Sequence, residues 1–154
     1  MPSPIQKRVL VECDAATAFD IFVLHLDRWW PVREHSVSGA QGQVPLAVHV
    51  DAQPGGAITE TKFDGSATVW GHVMEITPGA RFVASWHPGH GSKMATKLDV
   101  SFQNAPLGKC KVTLVHGGWR VWGPEAFKRR DMYLGGWDYV LGKCYTESVA
   151  ELLA

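Results

Sequence analysis

From residue 5 the chain alternates between apolar and polar positions. Within residues 5–13, Val9, Val11 and Cys13 fall on one side with Lys7 alongside, and Arg8, Leu10 and Glu12 take the other. This period of two predicts a half-exposed strand. Asp14 is a suitable helix N-cap, and over residues 15–26 the period lengthens, with Ala18, Phe19, Phe22 and Leu26 recurring at three- and four-residue spacing. That helix should stop near Trp29-Trp30-Pro31, because proline disfavours helical backbone at the residue before it. A loop rich in Gly, Ser and Gln follows.

Six strand-like runs come next, joined by short turns. Residues 46–51 turn at Pro54-Gly55-Gly56 into 57–63, and Asp64-Gly65, a strong hairpin signal, leads into 67–76. Pro78-Gly79 turns into 81–87, and a Pro-Gly-His-Gly loop precedes 96–103, where Leu98, Val100 and Phe102 alternate with Lys97, Asp99 and Ser101. Residues 104–108 turn the chain into 109–116, with Val112, Leu114 and His116 on one face.

After Pro124, which suits a first helical turn, the period becomes 3.6 residues. Phe127, Arg130, Leu134, Trp137, Leu141, Cys144 and Ser148 then form one stripe, widened by Val140. Gly135-Gly136 interrupts it, at a cost of about 1 kcal/mol per glycine relative to alanine. Either the helix kinks or leaves space there, or an irregular loop precedes a helix starting at Trp137. The element order predicts an α+β fold. A curved antiparallel sheet of about seven strands would wrap a long C-terminal helix, with one or two short helices after the first strand. Residues 1–154 are read as a single domain.

Composition narrows the function classes. Among 154 residues, 15 basic and 15 acidic side chains cancel, which argues against nucleic acid or an anionic membrane surface as partner. No apolar run approaches roughly 18 residues, so no membrane insertion is expected, and the start lacks the form of a signal peptide. Three widely spaced cysteines, Cys13, Cys110 and Cys144, fit a reducing, cytoplasmic setting. The seven tryptophans exceed what an ordinary core requires, so some should line something else.

Several motifs carry a family resemblance. They are residues 5–11 followed by Ala15-Ala16-Thr17-Ala18-Phe19, then Trp29-Trp30-Pro31, Pro54-Gly55-Gly56 and Trp70-Gly71 with Glu75 and Pro78-Gly79. They continue with the strand ending at Trp86, Leu98-Asp99-Val100-Ser101-Phe102, Leu114-Val115-His116 and Gly136-Trp137. In this order the chain resembles the START-like (helix-grip, SRPBCC) superfamily, most closely its heat-shock-protein ATPase activator-like family. The resemblance implies the helix-grip fold and binding of hydrophobic small molecules between sheet and C-terminal helix. Some members are cyclases, hydrolases or co-chaperones, so it leaves open an enzyme on the same cavity, a chaperone-activating module and a self-associating dimer.

The strand phases propose a cavity lining. Phe82, Ala84 and Trp86, then Leu98, Val100 and Phe102, then Val112, Leu114 and His116 should face Leu134, Trp137, Leu141 and Cys144 of the helix. The alternative is that these side chains interdigitate and fill the space. His116 is the polar member, suited to a ligand carbonyl or to acid–base work, or else held by backbone at its strand's end. Glu60, in phase with Ile58, would face the same space. Arg130, one turn before Leu134, would meet a ligand carboxylate or lay its stem on the core. Trp119 and Trp122 flank Arg120 as a lid, a dimer contact or packing at the helix start. His87 and His90 have a chelating separation but lack further ligands. No nucleophile elbow or phosphate-cradling loop occurs, so neither a catalytic residue nor a cofactor is assigned.

Overall fold

A computed structural model describes all of residues 1–154. Seven strands form one sheet: β1 (Ile5–Val11), β2 (Ala47–Val50), β3 (Ala57–Thr61), β4 (Ala67–Thr77), β5 (Arg81–Trp86), β6 (Thr96–Ala105) and β7 (Lys109–Gly117). Their spatial order is β1-β7-β6-β5-β4-β3-β2, every neighbouring pair antiparallel. The hairpin turns carry the chain from β2 to β7, and β1 closes against β7 with Ile5 opposite His116. All seven strands stand where the alternation places them, with ends shifted by a few residues.

Two irregularities bend the sheet. Opposite Ile58 and Thr59 of β3, β4 carries an extra residue, Trp70; opposite Ala84 and Val83 of β5 it carries another, Met74. Such bulges re-aim side chains and increase strand twist. The first leaves the Trp70 indole fully buried, while Met74 is exposed. Gly71 follows because a Cβ there would lie 1.8 Å from the Ser85 carbonyl oxygen.

Asp14 caps α1 (Ala15–Leu24) by accepting from the Thr17 N–H at 2.8 Å. The single helix expected over residues 15–26 is divided. His25 leaves helical geometry, and α2 (Leu26–Trp29) completes the turn before Trp30 becomes extended ahead of Pro31. The Gly-, Ser- and Gln-rich stretch is not merely a loop. It contains α3 (Val37–Ala40), capped by the Ser36 hydroxyl, which accepts from the Gly39 N–H.

The C-terminal helix starts at Ala126, since Trp119–Glu125 forms tighter 3₁₀ turns that include Pro124. It runs as α4 (Ala126–Tyr139), one π-helical stretch (Val140–Tyr145) and α5 (Thr146–Leu152). Gly135 and Gly136 lie inside α4 without a break. The π stretch corrects the expected stripe. Wider turns hold an extra residue, so Trp137 and Leu141 are followed inward by Tyr145 and Val149 rather than Cys144 and Ser148. Phe127, expected on the stripe, is exposed, and Ala126 takes the buried position.

The buried side chains join in one cluster between sheet and helices. At one end Phe19, Phe22, Trp29, Phe102 and Tyr145 meet edge to face, and the Tyr145 hydroxyl donates to the Ala18 carbonyl at 2.6 Å. At the other end four indoles, Trp30, Trp70, Trp86 and Trp137, pack with ring centres 5.5–6.3 Å apart. No helix is long and apolar enough to cross a membrane.

Candidate functional site

Beneath the second aromatic group runs a directed chain of hydrogen bonds. An indole N–H can only donate, so Trp137 Nε1 donates to His116 Nδ1 at 3.0 Å. Nδ1 is therefore the acceptor, the ring proton sits on Nε2, and it donates to Thr96 Oγ1 at 2.6 Å. The Thr96 hydroxyl passes its own proton to the Trp86 carbonyl at 3.1 Å. Four residues from β5, β6, β7 and α4 are thereby fixed in one register. Burial pushes the His116 pKa down to about 3, so the ring stays neutral.

A second polar anchor holds the segment between α2 and β2. Glu60 of β3 is fully buried and its carboxylate accepts three N–H groups. Val37 N and Ser38 N donate to its two oxygens at 2.8 Å each, and Trp70 Nε1 donates at 3.0 Å. Ser38 Oγ accepts from the Phe63 N–H at 3.2 Å, and Trp30 Nε1 donates to the His35 carbonyl at 2.6 Å. A segment with few apolar residues is thus held by its backbone groups, and Glu60 supplies most of the hold.

Between this segment, the end of β5 and α4 lies a cavity of about 460 Å³. Trp30, Trp86 and Trp137 supply its aromatic wall, and Val37, Met132 and Val140 add apolar surface. Gly136 also lines it; a Cβ there would sit 3.8 Å from the His35 ring, so the missing side chain adds room. The polar lining includes Glu34, His35, His90, Arg129 and Tyr133. Burial holds His35 and His90 below the ordinary histidine value, Arg129 adding to the effect on His90. Burial raises the Tyr133 phenol, although the neighbouring Trp86 indole favours its charged form. The buried Trp86 Nε1–H nevertheless makes no hydrogen bond of normal geometry, with Tyr133 as its polar neighbour.

The residues expected to line a cavity divide into four sets. Trp86 and Trp137 do line it. Phe82, Leu98, Val100, Phe102, Leu114 and Leu141 pack into the core cluster instead, with Leu134 half-buried against it. Interdigitation fills the middle of the sheet, and the space lies towards one end. His116 and Glu60 are buried beside the site, but both ring nitrogens and both carboxylate oxygens are engaged within the protein. That pairing commits both groups to holding the fold around the site. Arg130 turns away from the cavity and donates to the carbonyls of Ser3 and Pro4.

The adjoining helix face, Arg129, Tyr133, Gly136 and Val140, supplies the wall and recurs with the same period as the stripe chosen from sequence. That recurrence was the available signal. Trp119 is no lid: it is buried, donates to the His116 carbonyl and packs at a 40° tilt against the His116 ring, 4.4 Å between centres. Trp122 carries the Arg129 guanidinium 4.0 Å above its ring centre. His87 Nδ1 bonds the His90 carbonyl, and no three His, Cys, Asp or Glu side chains are grouped to hold a metal ion.

The sheet order, the long C-terminal helix held against it and the cavity beside that helix define a START-like protein of the helix-grip class. Within that class, the chain belongs to the family described as activator of Hsp90 ATPase homolog 1-like protein, which it matches over residues 23–146. No curated protein matches the sequence. Among solved structures it is similar to protein NE0264 from Nitrosomonas europaea, at 14% identity over 98% of this chain and 94% of that one, with a TM-score of 0.64. It is also similar to Txn09, an anthrahydroquino-gamma-pyrone synthase, at 23% identity over 83% and 86% of the two chains and a TM-score of 0.57. The Aha1 dimer from Colwellia psychrerythraea is similar at 12% identity over 90% and 96%, with a TM-score of 0.58. At these identities the likeness establishes a shared fold.

Proposed function

We propose that the protein binds a hydrophobic or amphipathic small molecule in the cavity between the segment carrying α3, the end of β5 and α4. The carrying observation is the cavity itself: about 460 Å³, walled by three indoles with a few polar groups among them. Its size and lining match those of small-molecule sites, which are mostly apolar with a few placed polar groups. The hydrogen-bonded chain behind Trp86 and Trp137, and the Glu60 anchor behind α3, hold opposite walls in place. Such preorganisation favours binding, because less order has to be imposed when a ligand arrives. The free thiols Cys13, Cys110 and Cys144 support a cytoplasmic setting.

Native mass spectrometry after gentle purification tests this reading, together with uptake of apolar fluorescent probes. A co-purifying small molecule or a saturable probe site is the expected result. No bound species and no probe uptake would refute it.

Family membership favours a second reading, an interaction module that stimulates a chaperone ATPase, alone or as a self-associated dimer. Its test is the ATPase turnover of an Hsp90-type chaperone with and without the protein, alongside the sedimentation coefficient of the protein alone. Unchanged turnover would retire the activator role, and a concentration-independent monomer would retire the dimer.

A further inference from the structure

Resting on the reading of the cavity as a ligand site, we propose that its occupant is an amphipathic anion: a ring-bearing apolar body between the indoles, with an oxyanion head held by Arg129. Arg129 is the cavity's only Lys or Arg. Its guanidinium carbon lies over Trp122, 4.0 Å from the ring centre, and Trp122 in turn meets the His90 ring edge to face at 4.8 Å. A cation–π contact consumes none of the guanidinium's N–H donors, whose fork suits a carboxylate or sulfonate.

Those donors are little used by the protein. The one ion-pair contact of Arg129 is to Glu125, the residue just before α4, at 4.0 Å through Nε. The carboxylate on the cavity wall, Glu34, is engaged separately by the Tyr139 hydroxyl at 3.3 Å. The indoles Trp30, Trp86 and Trp137 line the same space. Arg129 and these rings together ask for a molecule with an acidic head and aromatic bulk.

The test compares two fluorescent probes sharing one ring system, anilinonaphthalene sulfonate and its uncharged counterpart phenylnaphthylamine, titrated into the whole protein. The sulfonate should bind at least about tenfold more tightly, as expected for charge-assisted hydrogen bonds. Arg129→Gln should abolish that preference and leave the neutral probe within about twofold of its wild-type Kd. Lys128→Gln, which removes the same charge from an exposed neighbouring position, should keep the preference. Arg129→Lys should give an intermediate ratio, since the charge remains and the planar fork is lost.

Equal binding of the two probes, or a preference that survives Arg129→Gln, would overturn the anion assignment while leaving the cavity as a binding site. Failure of both probes to bind would overturn the cavity reading and this one together. Should Arg129→Gln fail to fold, Arg129→Met takes its place in the same comparison: a wild-type preference for the sulfonate there would overturn the assignment.

Discussion

The indole nitrogen of Trp137 donates to Nδ1 of His116 at 3.0 Å, and that bond determines which nitrogen of the histidine carries its proton. Because Nδ1 accepts, Nε2 must donate, and Thr96 lies 2.6 Å away to receive it. A residue that reads in sequence as an acid–base candidate is instead a neutral link between β7 and the helix gripped by the sheet. Adding a proton would place a donor against the Trp137 N–H in a fully buried site. The bond chain and burial therefore act in the same direction.

Acid lability follows with a definite sign. The folded-state pKa of His116 is about 3, below the 6.5 of an unperturbed histidine, so the unfolded chain takes up a proton that the folded chain refuses. Stability is complete above pH 6.5 and declines as pH falls towards 3, by about 1.4 kcal/mol per pH unit from this residue. Urea midpoints at pH 7.5 and 5.0 check it. The wild type should lose about 2 kcal/mol more over that interval than His116→Gln, which has no ring to protonate; equal losses would disprove the assignment.

Glu60→Ala should loosen one wall of the cavity. It leaves the N–H groups of Val37, Ser38 and Trp70 without their acceptor, at a cost of about 3 kcal/mol or more. The loss should be local before it is global. Hydrogen exchange of the Val37 and Ser38 amides should accelerate well beyond that of the β6–β7 amides, and uniform acceleration would contradict the anchoring role. Glu60→Gln retains one acceptor oxygen, but turns an NH₂ group towards amides that can only donate, so it should fall between wild type and Glu60→Ala.

Much of the fold was legible because burial imposes a period. Val112, Leu114 and His116 alternate inward as their spacing requires, and Asp14 caps α1 as its residue type suggests. The site was less legible because its determinants outside α4 have no period. Residues 32–45 carry no sustained apolar repeat, and the short helix within them depends on a glutamate more than twenty residues away. The expected lining followed the middle of the strands, where Leu98, Val100 and Leu114 are packed against neighbours with no space left. The open volume lies beyond them, beside loop residues such as His90 whose spacing announces nothing, and beside the helix face of Arg129 next to the expected stripe. Tryptophan excess was a sound indicator of something beyond a plain core, since three of the seven indoles line the cavity.

The adjacent glycines of α4 should respond differently to substitution. Gly135 is exposed and a Cβ there meets nothing within 4 Å, so Gly135→Ala should stabilise the protein by about 0.5–1 kcal/mol through helix propensity alone. Gly136 faces the cavity, where Gly136→Leu has room to enter. Its thermal midpoint should stay near that of wild type, while probe binding weakens by about tenfold or more as the volume fills. Unaltered probe affinity in a folded Gly136→Leu protein would place the probe elsewhere.

The π-helical stretch gives the C-terminal helix its final register, and Tyr145 is the residue it turns inward. Its ring meets Phe22 and Trp29 edge to face, and its hydroxyl donates to the Ala18 carbonyl of α1. Tyr145→Phe should cost about 1 kcal/mol, the worth of one buried hydrogen bond with the packing kept. Tyr145→Ala should cost about 3–5 kcal/mol, because a large ring is removed from a filled core. Deleting Gly142, an exposed residue within the π stretch, tests the register directly. Without the extra residue, regular helical turns bring Tyr145 and Val149 into the register that the stripe of Trp137 and Leu141 continues, so both stay on the buried face. The deletion variant should therefore unfold in urea within about 1 kcal/mol of wild type. A loss as large as that of Tyr145→Ala would mean that the extra residue does not set which side chains α5 buries.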